Sequence, residues 1–298
     1  MKVCYYPGCT LKTDASSFEE SARSVFESLG VELEEPDRWT CCGTVFSLTT
    51  NNVMQHLAPV RNLLRARQAG HTRMLTLCSM CFNTLARANQ VFREDEAKRE
   101  KITGIMDREE AVYDGKTEVV HGLELLVREV GLETIRERAA GRLNGLPVAA
   151  YYGCMLLRPD GIGIDAAESP RIFEDLLEAL GARAVPFPYF GECCGSYQTV
   201  EHPEIVGERT RLIVESAREA GARALVVSCP LCAFNLDQRQ ETTRRQTPSF
   251  EPLPVLYFTE LMAPALGLEF KPEWLSGHYA PVEGVLAAAG MSGAVHEG

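Results

Sequence analysis

The sequence lacks several features that would point to a membrane or to nucleic acid. It has no apolar run near the roughly 18 to 20 residues of a transmembrane helix, so we expect no membrane span. Lys and Arg number 30 against 41 Asp and Glu, and the net charge of -11 argues against nucleic acid or an anionic membrane surface as the main partner. The stretch after Met1 reads as a strand without a secretory apolar region, so we expect a cytoplasmic protein.

Two redox motifs are also missing. The chain contains neither the Cys-x-x-Cys-x-x-Cys-x-x-x-Cys run of a bacterial ferredoxin nor a flavin fingerprint. It nevertheless carries 11 cysteines in an otherwise ordinary globular composition, 45% hydrophobic and 24% charged. Because cytoplasmic thiols are normally reduced, patterned cysteines there indicate metal ligands or redox groups rather than structural disulfides.

Ten of the cysteines form two sets of five with one shared pattern. Each set is built on an adjacent pair followed by glycine, Gly43 or Gly195. A single cysteine stands before the pair, separated by 31 residues in the first set and 38 in the second. A Cys-x-x-Cys follows, after 35 residues in the first set and 34 in the second. The first set is Cys9, Cys41, Cys42, Cys78 and Cys81, and the second set is Cys154, Cys193, Cys194, Cys229 and Cys232. Only Cys4 is left over; we interpret it as core packing, since Ala149 takes the matching place.

The cysteine repeat is part of a wider duplication. In each half an apolar run ending at the first cysteine predicts a buried strand, and a helix that ends at Gly30 or Gly181 follows. The β/α alternation continues through both halves, which predicts an α/β fold with two similar halves, each a mostly parallel sheet with helices on both faces. The Gly- and Pro-containing stretch 141–147 suggests a junction. We therefore predict an N-terminal domain at residues 1–145 and a C-terminal domain at 146–298.

Local signals predict where several helices begin. Ser16 and Ser17, each followed three residues later by glutamate, offer capping boxes for the first helix. Ser169 followed by Pro170 predicts an N-cap and first helical position in the second half. Each Cys-x-x-Cys is predicted to open a helix. The tail after Pro272 is rich in Gly and Ala and only weakly patterned.

The predicted topology brings each set of cysteines together. In each half the cysteines follow three different strands, and the carboxyl ends of parallel strands share one edge where ligands collect. A Cys-x-x-Cys at a helix start lies against the positive end of the helix dipole, which lowers thiol pKa values and favours metal binding. Gly43 and Gly195 suit a tight turn or the close approach of a bulky inorganic group, so we count them as cofactor-binding.

Four interpretations of the sets compete. Buried structural cysteines do not explain a duplicated five-cysteine pattern. Structural zinc, in both halves or in one, needs only four ligands and leaves one cysteine over. A thioredoxin-like dithiol explains Cys-x-x-Cys but not Cys-Cys-Gly. Iron–sulfur clusters use all five soft ligands, and we favour them. Because a cubane needs four cysteines, five suggest an enlarged or open cluster.

The tandem Cys-Cys-Gly pattern, with the opening Cys-Tyr-Tyr-Pro-Gly-Cys-Thr-Leu, resembles the family of heterodisulfide reductase B subunits, which are built from cysteine-rich CCG domains. The resemblance covers the chain to about residue 265 and implies two noncubane [4Fe-4S] clusters, one on each set of five cysteines, with zinc in one motif as the weaker alternative. It implies a catalytic component that reduces or forms a disulfide by one-electron steps. The implied partners are the ferredoxin-like iron–sulfur component and the flavin-bearing component of the same complex, and a disulfide, thiol or sulfur-carrier protein. The alternative is a non-catalytic CCG-type electron-transfer component of a lactate, glycolate, glycerol-3-phosphate or succinate oxidoreductase.

Four other residues were considered for the site. His121 and His202 are isolated histidines, which we interpret as surface or hydrogen-bonded structural groups rather than proton donors. Lys12 and Arg158 follow the first cysteine of each half. Either would suit the steering of an anionic substrate, but surface Lys and Arg are common.

Overall fold

The strands of the protein form two separate four-stranded sheets, one in each half of the sequence. The computed structural model describes residues 1–44, 53–275 and 277–288. The predicted tail therefore lies partly outside the described residues, at 276 and 289–298. In chain order the strands are β1 Lys2–Tyr5, β2 Glu32–Glu34, β3 Arg73–Thr76, β4 Glu118–His121, β5 Pro147–Ala150, β6 Arg183–Ala184, β7 Ala224–Val227 and β8 Val255–Tyr257.

Both sheets are entirely parallel and have the same strand order. The first is β2-β1-β3-β4 and the second is β6-β5-β7-β8. Cys4 pairs with Met74 across β1 and β3, and Ala149 pairs with Leu225 across β5 and β7. The inner strands are continuous apolar runs because both faces of a parallel sheet are covered by helices. The predicted α/β fold with two duplicated halves is confirmed.

Helices connect the strands and cover the sheets. In chain order they are α1 Ser16–Ser28, α2 Met54–Gln68, α3 Ser79–Glu94, α4 Glu96–Ile105, α5 Gly122–Leu125, α6 Leu132–Ala139, α7 Gly153–Leu157, α8 Ile172–Ala179, α9 Gln198–Glu201, α10 Pro203–Glu219, α11 Pro230–Gln246, α12 Phe258–Ala265 and α13 Glu283–Ala288. A π-helical turn at Leu126–Gly131 joins α5 to α6, and 3₁₀ turns occur at Thr10–Lys12 and Pro272–Trp274. Within the described ranges, no helix combines the length and apolar character needed to cross a membrane.

Two predicted helix caps are wrong, and two predicted helix starts are confirmed. The N-cap of α1 is Ala15, without a side-chain cap, so Ser16 and Ser17 are the first helical residues rather than caps. The start of α8 lies at Ile172, beyond Ser169 and Pro170. There the Asp165 carboxylate accepts hydrogen bonds from the Arg171 and Ile172 amides. Helices α3 and α11 do begin directly after the first cysteine of each Cys-x-x-Cys.

Each half packs a helix against the last helix of the other. Helix α1 lies against α12, and α8 lies against α5 and α6. In the first contact Phe18 stacks on Tyr257 with ring centroids 4.2 Å apart, and Ser21 Oγ lies 2.7 Å from Thr259 Oγ1. A buried aromatic pair contributes about 0.5–1.5 kcal/mol beyond its area. The two halves therefore share one core, and the predicted domain boundary at residue 145 remains a prediction.

Candidate metal centre

The five cysteines of the first set meet at the carboxyl edge of the first sheet. This is the crevice between β1 and β3, where the strand order reverses and where ligands bind in open α/β sheets. Cys9 Sγ lies 3.9 Å from Cys41 Sγ, and Cys81 Sγ lies 3.5 Å from Cys42 Sγ. Cys78 is the N-cap of α3, which places Cys81 in its first turn. Cys9 and Cys41 are exposed, and the other three members of the set are buried.

The second set has the matching arrangement at the edge of the second sheet, between β5 and β7. Cys194 Sγ lies 3.5 Å from Cys232 Sγ, and the thiols of Cys154 and Cys193 are hydrogen-bonded to each other. Cys229 is the N-cap of α11. Of this set, Cys193 is exposed, and Cys194 and Cys229 are buried.

The two sets adjoin each other through a buried pair of cysteines. The thiols of Cys78 and Cys229 are hydrogen-bonded to each other. Hydrogen bonds from Cys232 and, second, from Cys78 lower the pKa of Cys229. The neighbouring hydroxyls Ser79 Oγ and Ser228 Oγ lie 2.7 Å apart. The ten thiols therefore form one continuous array across the two halves.

The first set holds one thiol that is readily ionised. Hydrogen bonds from Cys41 and Cys81 lower the pKa of Cys42 to about 4. The same bonds raise the pKa values of Cys41 and Cys81, and burial raises them further. Neighbouring thiols thus hold the protons while Cys42 is a thiolate, which is the form that binds metals.

The second set has the corresponding asymmetry. Hydrogen bonds from Cys154 and Cys194 lower the pKa of Cys193 to about 2. Donating to Cys193 raises the pKa of Cys194, to about 12. Each set therefore contains a thiolate at neutral pH. Its main cause is hydrogen bonding from neighbouring thiols and not a basic side chain.

Glycines give both sets room that a side chain would fill. Gly43 and Gly195 have positive φ values of 77° and 100°, as their predicted role requires. The Gly43 amide also donates to Cys41 Sγ at 3.5 Å. The sequence analysis missed two further positions, Gly8 and Gly153, which stand directly before the first cysteine of each set. A Cβ on Gly8 would lie 2.9 Å from Cys81 Sγ, and one on Gly153 would lie 3.4 Å from Cys232 Sγ.

A buried tyrosine fixes the Cys-Cys loop in each half. Tyr6 and Tyr151 stand three residues before the first cysteine of their sets. Tyr6 donates to the carbonyl of Thr40 at 2.7 Å, and Tyr151 donates to the carbonyl of Glu192 at 2.6 Å. Each acceptor immediately precedes a Cys-Cys pair, so each tyrosine ties the strand-end loop to that pair. The repeated Tyr-Tyr before Gly-Cys was the signal in the sequence.

We expect Tyr151→Phe to destabilise the protein more than Tyr6→Phe. The Thr40 carbonyl keeps a second donor, Asn62 Nδ2 at 2.8 Å, whereas Tyr151 is the only donor to the Glu192 carbonyl among the described residues. A hydrogen bond of this kind contributes about 0.5–1.5 kcal/mol to the free energy of unfolding, and only the Glu192 carbonyl loses its described donor altogether. Urea unfolding of both variants beside the wild type measures the difference, and an equal loss in the two variants would contradict this account.

The donor atoms of the two sets fit an iron–sulfur group. Each set supplies five thiols and no oxygen or nitrogen ligand, and soft thiolates are the ligands that such clusters take. All eleven cysteines are free, so no disulfide competes for them. In the ranges that the structure describes, no three His, Cys, Asp or Glu side chains are placed to hold a single metal ion.

A cavity of about 380 Å³ opens onto the first set. All five cysteines of that set line it, and no cysteine of the second set is among its described lining residues. The opposite wall comes from the C-terminal half and includes Phe234, Tyr257, Trp274, Asp237 and His278. The sequence analysis missed these residues because no spacing links them to the cysteines.

The remaining predicted residues lie outside this cavity. His121 is fully buried, its Nε2 lies 2.9 Å from the Leu77 carbonyl oxygen and its Nδ1 accepts from an amide at the start of α5. His202 is half-exposed beside Glu204. The Lys12 ammonium is paired with two glutamates, and Arg158 is exposed with Glu168 at 3.8 Å. Cys4 is buried in β1, where burial raises its pKa to about 12.

Comparison with known proteins agrees with this geometry. The model of the CCG family, described as a cysteine-rich domain, matches residues 3–86 and 148–237. The chain belongs to this family, in the tandem form of the heterodisulfide reductase B subunits.

Several relatives match nearly the whole chain, among them the following three. The membrane anchor component of the 8-methylmenaquinol:fumarate reductase of Wolinella succinogenes is 32% identical, over 91% of this chain and 94% of the relative. A protein of Archaeoglobus profundus that is named as similar to the heterodisulfide reductase B subunit is 29% identical, over 93% of this chain and 94% of its own length. The B subunit of the ferredoxin/F420H2-dependent CoB-CoM heterodisulfide reductase of Methanosarcina acetivorans is 28% identical, over 92% of this chain and 91% of the relative.

A solved structure of another protein shares the fold. It is a hypothetical protein from Helicobacter pylori, which matches 94% of this chain with a TM-score of 0.72 at 13% identity. The chain spans about half of that protein, 52% of its length. At this identity the likeness shows the architecture alone.

Proposed function

We propose that the chain is the iron–sulfur catalytic component of a heterodisulfide reductase-like complex, an oxidoreductase acting on sulfur groups. The observation that carries the proposal is the array of ten thiols, two matched sets that adjoin at Cys78 and Cys229 beside a cavity. Each set would hold one noncubane [4Fe-4S] cluster, which supplies or accepts single electrons when bound. A disulfide needs two electrons, so two adjoining one-electron centres meet its stoichiometry.

The chain's own residues perform three tasks in this proposal. The cysteines hold the two clusters. Gly8 and Gly153 leave space beside Cys81 and Cys232, and Gly43 and Gly195 turn the backbone at positive φ. The cavity binds the disulfide or thiol and restricts its contact with water. The exposed edges of the two sets, at Cys9, Cys41 and Cys193, offer short paths to an electron partner at the surface.

The proposed partners follow from what the chain lacks. Without a ferredoxin motif or flavin fingerprint of its own, the chain depends on a ferredoxin-like iron–sulfur protein and, beyond it, on a flavin-bearing protein of the same complex. We place this complex in the cytoplasm. The reduction potential of the electron partner decides whether the disulfide is reduced or formed.

A second candidate is an electron-transfer component of a fumarate- or succinate-converting oxidoreductase. The observation that favours it is the 32% identical relative from Wolinella succinogenes, named for 8-methylmenaquinol and fumarate. The aromatic side chains of Phe234, Tyr257 and Trp274 in the cavity wall also suit a quinone ring. The two candidates differ in the compound that enters the cavity.

The test is anaerobic loading of the full chain, followed by metal analysis and turnover. We expect about four irons and matching acid-labile sulfide per set. With reduced methyl viologen as electron donor, the loaded protein should reduce the CoB-CoM heterodisulfide to two thiols. Reduction of a short-chain naphthoquinone and not of the disulfide would favour the second candidate. About one zinc per half, or disulfide turnover with NADPH and no other protein, would contradict the proposal.

A further inference from the structure

A buried cluster of three titratable side chains reaches the cavity wall through two of its members, Asp237 and His278. Its members are Asp237 on α11, Glu260 on α12 and His278 in the segment before α13. His278 Nε2 lies 3.3 Å from Glu260 Oε2, and His278 Nδ1 lies 3.9 Å from Asp237 Oδ2. Neither the cysteine sets nor the shared core accounts for this cluster.

The position of His278 is fixed from both sides. Asp237 accepts hydrogen bonds from the Tyr279 amide at 2.7 Å and from the Ala280 amide at 3.4 Å. Gln238 Nε2 donates to the Gly277 carbonyl at 2.7 Å. Helix α11, which begins at the second set of cysteines, thus holds the backbone on either side of His278. The imidazole lines the cavity as a positioned group.

The surroundings of His278 stabilise its protonated form. Its side chain is only 10% exposed, and burial by itself lowers its pKa. The hydrogen bond and charge of Glu260, with the charge of Asp237, outweigh burial, so the pKa of His278 is raised. Glu260 is fully buried, and its Oε1 has no hydrogen-bond partner in the described part of the chain. A cation beside it offsets the desolvation of that carboxylate.

The other titratable groups described around the imidazole do not oppose this protonation. Tyr257 at the end of β8 stays a neutral phenol, because burial raises its pKa well above the usual value. Burial also raises the pKa of Asp237. Asp14 lines the cavity from the N-terminal half and adds a negative group. The described groups facing His278 from α11, α12, β8 and the opposite wall are therefore acidic or neutral.

We propose that His278, positioned by Asp237 and Glu260, transfers a proton to or from the compound that the central cavity binds. This rests on the proposed function and deepens it. In disulfide reduction the sulfur–sulfur bond breaks, the one-electron donor supplies two electrons, and each sulfur takes one proton. His278 gives one of these protons and is recharged from solvent; the other comes from water. A naphthoquinone likewise takes two electrons and two protons, one on each oxygen.

The cavity also limits the class of compound. Phe234 and Trp274 provide apolar walls, while His278 and Gln238 are polar. The ligand is therefore a small molecule with an apolar portion, and its two reducible sulfur or oxygen atoms are protonated on reduction. The CoB-CoM heterodisulfide and a short-chain naphthoquinone represent the two sources of this chemistry.

The central test compares His278→Gln with His202→Gln in the loaded protein. Glutamine keeps hydrogen bonding but not proton transfer, and His202 is a half-exposed histidine outside the cavity. We expect His278→Gln to keep its iron, to change KM by less than about threefold and to lower kcat by about 10²- to 10⁴-fold. Wild-type reduction should slow as pH rises through the pKa of His278, and this limb should vanish in the variant. Wild-type kcat and pH profile in His278→Gln would overturn the proposal.

Two further measurements test the same role of His278 without His278→Gln. Imidazole added to His278→Ala should restore turnover at least about tenfold, as a displaced proton donor allows. Calorimetry of coenzyme M thiol binding to the wild type, in two buffers of different ionisation enthalpy, should show proton exchange. Absence of both effects would overturn the inference. Wild-type protein that reduces neither compound would instead contradict the proposed function, before any variants are compared.

Discussion

Cys42→Ala should change the cluster signal of the first set and abolish activity, and Cys194→Ala should do the same in the second set. Cys42 lies in the middle of the first set, buried, with its thiol hydrogen-bonded to Cys41 and Cys81. Cys194 holds the matching place between Cys193 and Cys232. In each variant the affected set keeps four cysteines, which can hold a smaller cluster. We therefore expect altered spectra and lost activity before unfolding. Iron content, acid-labile sulfide and low-temperature EPR measure the effect.

Two further cysteine variants show whether this loss is specific. Cys4→Ala removes a buried sulfur from the core of β1 and should cost about 1 kcal/mol while sparing both clusters. Cys78→Ala should disturb the spectra of both sets, because Cys78 is hydrogen-bonded to Cys229. If Cys4→Ala stripped the iron while Cys42→Ala kept full iron and activity, the ligand assignment would have to be abandoned.

Gly8→Ala should empty the first set nearly as completely as the loss of a ligand. The new Cβ would lie 2.9 Å from Cys81 Sγ, closer than real Cβ contacts come. To relieve this contact, Cys81 Sγ would have to leave its position 3.5 Å from Cys42 Sγ. The positive φ of 73° adds strain of about 1–2 kcal/mol for any L side chain. Iron content after anaerobic loading measures the loss.

Gly30→Ala is the matched control for this strain. Gly30 has a φ of 76°, and a Cβ there would meet nothing within 4 Å. Both variants therefore carry the same backbone strain, and only Gly8→Ala crowds a cysteine. Gly153→Ala should have an intermediate effect, since its Cβ would lie 3.4 Å from Cys232 Sγ. Equal iron loss in Gly8→Ala and Gly30→Ala would show that strain alone causes it.

Most of the fold could be predicted from the sequence because its signals are local. Apolar runs of strand length, glycine at helix ends and cysteines just beyond each strand are readable one segment at a time. The parallel β/α topology then brings the strand ends to one edge, so the meeting of Cys9, Cys42 and Cys78 followed from topology alone. The wrong cap prediction for α8 shows the limit of local signals. The Asp165 carboxylate accepts a hydrogen bond from the amide of Ile172, seven residues later, which is farther than any capping motif reaches.

The cavity wall could not be predicted, because its residues are brought together by long-range packing and not by a local sequence pattern. His278 lies in a weakly patterned tail, and its partners Asp237 and Glu260 stand on two helices without a spacing rule that joins them. No spacing in the sequence distinguishes Trp274 and Phe234 from ordinary core or surface residues. Only the packing of α11, α12 and the tail turns them into one wall of a cavity.

The sequence by itself determined the α/β class, the duplication and the two sets of five cysteines, because these depend on residue type and spacing within one half. The tertiary structure alone decided how the halves meet. Among the described residues it joined the sets at Cys78 and Cys229, exposed only the first set to the cavity and placed His278 across from it. These contacts join residues more than 140 positions apart, and their geometry comes from packing one half against the other, which no local pattern encodes.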